Sequence, residues 1–505
     1  MGVPVTRTRT PEVANNVNER CSGSEAMDVR VLSVMLPVVL LLASCASHDS
    51  RQSIQAQMLG ESGYGFVSDS VGLSIESATL AGEGRALQRR ELVSLFQDFR
   101  PGMVLRVGGN TSDQMFWTSA NEPRPSGYRF TVTPEGLNRL AELTKELGWR
   151  VVMGVNLRSR DARRAADMAK HTRSIFGDWL TAIAIGNEPN VYYSSNPPFG
   201  TYASDYRAYR SEIRRAVPDV DIQAPDSSGN RYDFIWSSAS QFSRSPSTVP
   251  DAYAAHFYGS QGCDTDTMRP SALFTEFADE RRQSSLSDIA RAASLANSPR
   301  VVLSEVNSIN CGGMAGISNR LAGALWMLDF AFDATTQGFN GVYFHGTLTD
   351  CIAYSPVCVS GDREMNTADP FKALLTLNRM ADGMAMLSVA PYKSDSSVRL
   401  YGLRGRNSLA LVAINTAEGD NDWVDVDVDL PGSNFAELSS VELLTKDETD
   451  TDGTRLARKT SMDGMPPDLD EECSSGPSDS EPVGTAHVAS RPASAKVIFF
   501  CERND

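Results

Sequence analysis

The sequence predicts an α/β protein made of a (β/α)8 TIM barrel and a C-terminal antiparallel β-sandwich. Between about residues 66 and 370, short apolar stretches alternate with helix-like stretches at the spacing of βα units. Three of these apolar stretches have a glutamate at or just after their carboxyl end, where barrels carry their chemistry. From residue 371 to 505, short stretches with a period of two indicate strands with one buried face.

The predicted barrel strands are short runs of apolar, often β-branched residues. Such runs lack a helical period and are typical of parallel strands that are buried on both faces. In chain order they span residues 71–76, 104–107, 151–155, 182–185, 220–223, 252–258, 301–305 and 341–345. Helices are expected at 86–99, after the first strand, and at 322–331, before the last.

The C-terminal domain is predicted from alternation. Strands are expected at residues 398–403, 408–414, 424–430 and 495–500, and in the third of these every valine falls on one face. The segment 46–65 is predicted to be a tether that lends a further strand to this domain. Residues 446–484 are rich in Asp, Glu, Ser and Pro, so they are predicted to form a long mobile loop.

Residues 1–45 are predicted to be an N-terminal extension and a lipoprotein signal peptide. Residues 31–43 form an almost unbroken apolar run after Arg30, which is the size of a signal h-region and short for a membrane span. The run leads into Leu42-Ala43-Ser44-Cys45, which resembles the bacterial lipoprotein processing site and implies acylation of Cys45. We expect an exported protein anchored at the outer membrane by this lipid, and an ordinary secretory signal is the alternative.

The charge balance narrows the range of partners. The 505 residues include 47 Lys and Arg against 63 Asp and Glu, a formal net charge of −16. This balance argues against a nucleic-acid partner. It also argues against long-range attraction of a polyanion, so an acidic sugar would have to be captured by local groups.

Cysteine usage fits an exported protein. Six of the eight cysteines follow the leader, namely Cys263, Cys311, Cys351, Cys358, Cys473 and Cys501. Such cysteines are expected to be paired, and the one pair predicted is Cys473 with Cys501, both in the last segment. The sequence contains no CxxC or HExxH pattern, so no metal site is predicted.

Two glutamates at strand ends are the candidate catalytic groups. Glu188 follows the fourth strand in the tripeptide Asn187-Glu188-Pro189, and Glu305 ends the seventh. A glutamate beside an apolar wall can have its pKa raised enough to act as a general acid. Glycosidic bond cleavage uses two carboxyl groups, one that protonates the leaving oxygen and one that attacks the anomeric carbon or activates water. The plain alternative for residues 187–189 is a helix start with proline at its first position.

With these two glutamates on its fourth and seventh strands, the chain resembles the retaining, clan A glycoside hydrolases. Within that clan it resembles family 79, the β-glucuronidases and heparanases, over nearly all of residues 60 to 505. The resemblance implies that Glu188 is the acid and base and that Glu305 is the nucleophile. It also implies that no cofactor is required.

The resemblance further implies a set of sugar-binding residues. An Arg-x-Gly-Gly-Asn-x-x-Asp stretch at the second strand would bring polar groups, including Asp113, to the sugar. Asn187 resembles the clan asparagine that bonds the sugar 2-hydroxyl, and Tyr258 resembles a tyrosine beside the nucleophile that reaches a uronic carboxylate. Further residues expected at the site are Glu76, Asn110, Tyr343 and His345. His256 is expected to be a structural, hydrogen-bonded histidine.

The loop after Glu305 departs from the family pattern. Heparanase-like members have a tyrosine five residues after the nucleophile, followed by glycines whose backbone N–H groups bind the sugar carboxylate. Here Asn310 and Cys311 replace the tyrosine and the first glycine, whereas Gly312 and Gly313 remain. We expect Asn310, Gly312 and Gly313 to contact the sugar, whereas the loss of the tyrosine and the first glycine leaves strict specificity for glucuronate open.

Three functions follow from this reading. The first is a membrane-anchored retaining hydrolase that cleaves β-linked glucuronic acid, or 4-O-methyl glucuronic acid, from oligo- or polysaccharides. The second is a retaining β-glycosidase for a neutral sugar, or a heparanase-like endo-glucuronidase. The third is a surface lipoprotein that binds glycans without cleaving them, since a fold does not dictate a function.

Overall fold

A computed structural model of the chain describes residues 52–81, 90–193, 198–229, 232–263, 267–348, 351–359, 365–380, 383–390, 397–419, 421–445, 455–474 and 481–503. The predicted extension and signal peptide, including Cys45, lie outside these residues. Within the described part of the chain, no helix is long and apolar enough to cross a membrane.

The described residues form 21 strands and 10 α-helices. The strands are β1 (Gln52–Gly65), β2 (Val71–Glu76), β3 (Val104–Gly108), β4 (Met115–Trp117), β5 (Phe130–Val132), β6 (Arg150–Val155), β7 (Leu180–Ile185), β8 (Asp221–Ser228), β9 (Ala252–Ser260), β10 (Arg300–Ile309), β11 (Gly341–Gly346), β12 (Val357–Val359), β13 (Met365–Thr367), β14 (Ala385–Ala390), β15 (Val398–Arg404), β16 (Ser408–Asn415), β17 (Val424–Asp429), β18 (Phe435–Thr445), β19 (Thr460–Asp463), β20 (Thr485–Ser490) and β21 (Ser494–Glu502). The helices are α1 (Arg90–Leu95), α2 (Pro134–Glu146), α3 (Ala162–Phe176), α4 (Pro189–Tyr192), α5 (Pro198–Ala216), α6 (Tyr232–Phe242), α7 (Glu276–Leu295), α8 (Leu321–Thr336), α9 (Pro370–Met380) and α10 (Leu469–Ser474).

Eight parallel strands close into a barrel in the order β2-β3-β6-β7-β8-β9-β10-β11, and β11 pairs back onto β2. This confirms the predicted (β/α)8 barrel, because each predicted strand overlaps one of these eight. The fifth and seventh barrel strands, β8 and β10, run further than predicted. Their carboxyl-terminal halves contain polar residues that are buried. The predicted strands ended earlier because polar residues normally mark the end of a buried strand.

Side chains that point into the barrel change from apolar to charged along the strands. Alternate residues of a strand share a face, so the inner column of β9 runs Ala252, Ala254 and His256, and that of β3 runs Val104 and Arg106. The apolar members pack into small clusters near the amino-terminal ends of the strands. They form an apolar layer, called here the apolar floor, below the charged residues at the carboxyl-terminal end, where barrels carry their active sites.

The second large sheet has nine strands in the order β19-β18-β21-β16-β15-β14-β1-β17-β20. The sheet folds over so that apolar side chains from its two halves, such as Leu411 of β16 and Val426 of β17, share one core. This arrangement confirms the predicted β-sandwich. β1, from the segment predicted as a tether, lies inside the sheet and pairs antiparallel with β14 and parallel with β17. The sheet is therefore mostly, but not wholly, antiparallel.

The prediction of a long loop over 446–484 is wrong for the part of this segment that the structure describes. That part contains β19, which pairs with β18, and the short helix α10. Leu456 and Leu469 are buried, and Cys473 is bonded to Cys501 of β21, which confirms the predicted disulfide. The two buried leucines and the covalent bond attach this described part to the sheet, although the composition of the segment is polar.

Candidate active site

Arg106 is the centre of the candidate site. Its side chain is fully buried and projects from β3 into the barrel. Nη1 donates to Oε2 of Glu305 at 2.7 Å and to Oγ of Ser74 at 3.0 Å, and Nη2 donates to Oδ1 of Asn187 at 2.8 Å. A guanidinium is a rigid planar fork of donors, so it fixes the carboxylate and the asparagine relative to each other.

A bulge in β10 turns two consecutive residues into the barrel. The pairing of β10 with both neighbouring strands changes register just after Leu303. Because a bulge inserts one extra residue, the usual alternation of faces is interrupted there. Ser304 and Glu305 therefore both point inward, where Oγ of Ser304 donates to Oδ1 of Asp226 at 2.6 Å.

The Glu305 carboxylate lies in a positive environment. Oη of Tyr258 donates to its Oε1 at 2.9 Å, and Nδ1 of His256 and of His345 each lie 3.9 Å from its Oε2. Burial alone would raise the pKa of Glu305, but the positive charges of His345, His256 and Arg106 outweigh it and hold the pKa well below its ordinary value. Glu305 is ionised at neutral pH, as a carboxylate nucleophile must be.

Glu188 faces Glu305 from the end of β7. Its backbone is left-handed, with φ 42° and ψ 52°, and its N–H donates to the carbonyl of Asp226 at 2.8 Å. Such a backbone is costly for a residue with a side chain, and it is found most often at functional sites. Oε1 of Glu188 lies 3.1 Å from Nδ1 of His256. One oxygen of Glu188, one oxygen of Glu305 and a ring nitrogen of His256 all lie within 4.8 Å of one another.

His256 links the two glutamates to a buried aspartate. Its Nε2 lies 3.6 Å from Oδ1 of Asp226, which is fully buried and also accepts from Nε2 of Gln223 at 2.8 Å. Burial alone would lower the pKa of His256, but the charge of Glu305 and hydrogen bonds to Asp226 and Glu188 raise it to about 9. His256 is an imidazolium at neutral pH and a charged contact for carboxylates, not a base.

Asn187 and Asn110 lie next to the two glutamates. The side chain of Asn187 is buried; its oxygen accepts from Arg106, and its Nδ2 donates to Oδ1 of Asn110 at 3.4 Å. Asn110 is exposed. Because Arg106 fixes the amide oxygen, the NH2 group of Asn187 is the part left to contact a ligand.

Asp113 lies on the same side of the site as Glu188. Oη of Tyr192 is 3.5 Å from its Oδ1, and the guanidinium of Arg158 lies over the Tyr192 ring, 5.6 Å from the centroid. Burial raises the pKa of Asp113 to about 7, because it outweighs the contacts with Arg158 and Tyr192 that lower this pKa. Near neutral pH Asp113 is therefore present both as an acid and as a carboxylate, so it can donate or accept a hydrogen bond.

Glu76 ends the first barrel strand. The backbone N–H of Thr111 donates to its Oε2 at 2.8 Å, the Thr111 hydroxyl bonds the same oxygen, and Nε2 of His345 lies 3.6 Å from its Oε1. Burial would raise the pKa of Glu76, but the hydrogen bond and charge of His345 and the hydrogen bond of Thr111 lower it. Both oxygens of Glu76 are thus engaged by the protein itself.

The loop after β10 does not present the expected groups to a sugar. Nδ2 of Asn310 donates to Oε1 of Gln261 at 2.6 Å, and its Oδ1 accepts from the N–H of Gly262 at 2.6 Å. The N–H of Gly313 donates to the carbonyl of Asn310 at 3.2 Å, so it is used inside the turn. Asn310 and Gly313 therefore serve the loop structure, and Gly312 is the remaining member of the expected set.

Tyr354 is a residue of the site that the sequence did not reveal. It is buried in the loop after β11, with its ring centroid 6.1 Å from that of Tyr258 and 5.8 Å from that of His345. Its backbone N–H donates to the carbonyl of Gly312 at 3.2 Å. No strand or helix pattern surrounds Tyr354, so periodicity offered no signal for it.

Arg106 and Asp226 carried weak signals in the sequence. Arg106 interrupts an apolar run, and a buried cation in a strand implies a buried anion. Asp226 lies beyond the predicted end of the fifth strand, at residue 223, so its inward position was not foreseen. Tyr343, expected near the site, instead packs in the apolar floor with Val104 and Ala184.

Glu188, His256 and Glu305 offer the ligand types of a cation site. However, Arg106 already bonds Oε2 of Glu305, and its Nη2 lies 3.4 Å from Nε2 of His256. Buried carboxylates need either a paired cation or a metal, and here the guanidinium and the imidazolium supply the positive charge. The donor set therefore fits a pair of catalytic carboxyl groups better than a metal centre.

No protein-family model and no curated protein sequence matches this chain. Its fold, however, is shared with solved glycoside hydrolases. A 4-O-α-L-rhamnosyl-β-D-glucuronidase from Fusarium oxysporum 12S superposes with a TM-score of 0.65 at 15% identity, covering 88% of this chain and 100% of that one. A family 51 arabinofuranosidase from Xanthomonas axonopodis pv. citri gives 0.63 at 14%, covering 89% and 99%. An α-L-arabinofuranosidase from Thermotoga maritima gives 0.60 at 12%, covering 88% and 98%.

Proposed function

We propose that this protein is a retaining glycoside hydrolase that releases β-linked glucuronic acid, or its 4-O-methyl ether, from glycans. The spacing of the two carboxylates carries the proposal, since one oxygen of Glu188 lies within 4.8 Å of one oxygen of Glu305. Retaining glycosidases hold their carboxyl groups about 5 to 5.5 Å apart, whereas inverting ones leave about 6.5 to 9.5 Å for a water molecule. The short gap favours direct attack by Glu305.

In the first half of the reaction, Glu188 donates its proton to the glycosidic oxygen. The bond from the anomeric carbon to that oxygen breaks, and a Glu305 oxygen forms an ester bond with the same carbon. Tyr258 on Oε1 and Arg106 on Oε2 fix the Glu305 carboxylate before attack. The imidazolium of His256, 3.1 Å from Oε1 of Glu188, stabilises the carboxylate that proton transfer leaves there.

In the second half, Glu188 acts as the base. It takes a proton from a water molecule, whose oxygen attacks the anomeric carbon and displaces Glu305. The sugar leaves with its original configuration, and both glutamates return to their starting states. The NH2 group of Asn187 would hydrogen-bond the sugar 2-hydroxyl during both halves, while Asp113 would contact another hydroxyl.

Two features support an acidic sugar. The ring of Tyr354 packs beside that of Tyr258, whose single O–H donates to Glu305, so the phenol of Tyr354 is the group that can offer a hydrogen bond to a carboxylate at the sugar ring. A rhamnosyl-glucuronidase is among the structural neighbours. With the predicted lipid on Cys45, the enzyme would act at the outer membrane on oligo- or polysaccharides that contain glucuronic acid.

A neutral sugar is the second candidate, and the loop after β10 favours it. The side chain of Asn310 and the N–H of Gly313 are occupied within the protein, so fewer groups are left to bind a carboxylate. Two of the structural neighbours described above are arabinofuranosidases. A role limited to glycan binding, or internal cleavage of heparanase type, has no comparable observation in its favour.

Hydrolysis of 4-nitrophenyl glycosides by the purified protein tests the proposal. The β-glucuronide should be turned over, with the β-glucoside, β-xyloside and α-L-arabinofuranoside alongside for comparison. Glu305→Gln should lower kcat by at least about 10⁴-fold, and Glu188→Gln by about 10² to 10⁴-fold. Glu437→Gln, an exposed glutamate of β18 in the sandwich, is the matched control and should keep full activity.

Each outcome of this assay has a clear meaning. Turnover of the glucuronide that depends on both glutamates supports the proposal. Turnover of a neutral glycoside alone would transfer the assignment to the second candidate. Failure to cleave any of these glycosides would contradict the release of single sugars and favour an internal cleaver or a binding protein, and full activity in Glu305→Gln would contradict a retaining hydrolase.

A further inference from the structure

Two disulfides of the described residues lie in the loops that follow the Glu305 strand, β10, and its two neighbours β9 and β11. Cys263 follows β9 and Cys311 follows β10, so their bond joins two neighbouring loops at the carboxyl-terminal end of the barrel. Cys351 and Cys358 close the loop after β11, the next barrel strand. Three consecutive strand-to-helix loops on one side of the site are therefore cross-linked or closed.

Each of these two disulfides has at least one exposed cysteine, unlike the one in the sandwich. Cys263, Cys311 and Cys351 are exposed, whereas Cys358, the partner of Cys351, is 6% exposed. Cys473 and Cys501 are 5% and 0% exposed, so their bond is shielded. A thiolate must reach a disulfide sulfur to reduce it. A reductant in solution should therefore open the two disulfides near the site before the one in the sandwich.

The cross-linked loops also bind one another. The N–H of Tyr354 donates to the carbonyl of Gly312 at 3.2 Å, and Nδ2 of Asn307 donates to the carbonyl of Tyr354 at 3.3 Å. A methyl group on Gly313 would come within 2.9 Å of the backbone nitrogen of Tyr354, so the two loops are in close contact. The loop that carries Tyr354 thus packs against the loop after β10 and is hydrogen-bonded to it.

The backbone conformation at Cys311 indicates that this position keeps a cysteine for the disulfide with Cys263. Its φ is 55°, and Gly312 and Gly313 follow with φ of 91° and 79°. Glycine adopts such angles freely, whereas a residue with a Cβ is destabilised by them. A cysteine in this position is strained but makes the bond to Cys263. Strain of this kind persists where the surrounding structure enforces it.

We propose that the Cys263–Cys311 and Cys351–Cys358 disulfides are positioning groups for sugar binding. They hold the wall formed by residues 310–313 and Tyr354 in the shape that accepts the sugar.

A dithiol that reduces each bond is oxidised to its own disulfide, and two electrons and two protons pass to the two cysteines. The wall then loosens and substrate affinity falls. Glu188 and Glu305 keep their arrangement, because Arg106 and the barrel strands hold them. The activity readout of this inference rests on the proposed function.

The kinetic test compares disulfides pair by pair. In Cys263→Ala with Cys311→Ala, and in Cys351→Ala with Cys358→Ala, we expect KM to rise by about tenfold or more while kcat changes by less than about threefold, which is the signature of lost binding. Treatment of the wild-type protein with dithiothreitol should have the same effect. Cys473→Ala with Cys501→Ala is the matched control, and its KM should be unchanged.

A second readout does not depend on activity. After dithiothreitol treatment and alkylation, mass spectrometry should find label on the four cysteines near the site before Cys473 and Cys501. Backbone hydrogen exchange should become faster at 310–313 and 351–358 and stay unchanged in β3 and β7. Unchanged exchange and KM, or an equal KM change in the control pair, would overturn the inference. If the wild-type protein cleaves no glycoside, the proposed function fails, while the exchange data still decide this inference.

Discussion

At the scale of single residues, the site is a set of balanced buried charges. Arg106, His256 and His345 face Glu305, and Asp226 and Glu76 balance the histidines in turn. Removing one partner of a buried ion pair costs about 3 to 5 kcal/mol, because the remaining charge is left uncompensated. Glu305 can therefore stay ionised inside a barrel only while its positive neighbours are in place.

His256 should make the stability of the protein depend on pH. The pKa of His256 is about 9 in the folded chain, against about 6.5 for an ordinary histidine, so the folded state binds the proton more tightly. The resulting stabilisation is complete below about pH 6.5, is lost as the pH rises through about 9, and is on the order of 3 kcal/mol. We expect the free energy of urea unfolding to fall over this range, with a smaller slope in His256→Gln.

A matched control exists for this measurement. His487 lies on β20 of the sandwich and is exposed. His487 contacts Asp427 at the surface, and an exposed ion pair contributes little to stability, so His487→Gln should change the slope far less than His256→Gln does. If His256→Gln shows the same slope as the wild type, the charge assigned to His256 is wrong.

At the scale of elements, the positions of the strands could be predicted from the sequence more accurately than the residues at which they end. Apolar runs such as 182–185 identify a buried strand directly, because both faces are covered. β10 runs on to Ile309 because Ser304, Glu305 and Asn307 are buried by partners on other strands. Those partners are not visible in a local pattern, so the predicted strand stopped at the first charged residue.

The candidate site shows the same limit. The two glutamates could be predicted because each closes an apolar run. Arg106 lies 199 residues before its partner Glu305, and contacts at that separation leave no periodicity to detect. The bulge after Leu303 depends on pairing register, which only the closed barrel determines. Tyr354 lies in an irregular loop, where residue type alone gives no position.

At the scale of the whole molecule, a buried ionic network joins the barrel to the sandwich. Nη2 of Arg399, on β15, bonds both oxygens of Asp279 on α7, at 3.0 and 2.8 Å. Its Nε lies 3.5 Å from Asp329 on α8, which also accepts from Oη of Tyr401 at 2.7 Å and from Nη1 of Arg282 at 2.6 Å. The sandwich thus fixes two barrel helices that follow the strands of the site.

Arg399→Met should therefore weaken the entire fold. The change leaves Asp279 and Asp329 without one of their cations inside the protein, and the expected loss in unfolding free energy is about 3 to 5 kcal/mol. Urea unfolding followed by circular dichroism measures it. Arg173→Met, which removes an ion pair at the surface, is the control and should have no measurable effect. An equally small effect of Arg399→Met would show that the ion pairs of Arg399 contribute little to the stability of the fold.

The central claim is that Glu305 attacks the sugar directly and that the anomeric configuration is retained. Proton NMR of glucuronide hydrolysis, recorded within the first minutes, tests this claim most directly, because it identifies the anomer of the released sugar before mutarotation. With Glu305 as the nucleophile, the β-anomer of glucuronic acid should appear first, and the α-anomer should follow slowly. Appearance of the α-anomer first would mean that water attacks in a single step, and it would contradict the role assigned to Glu305.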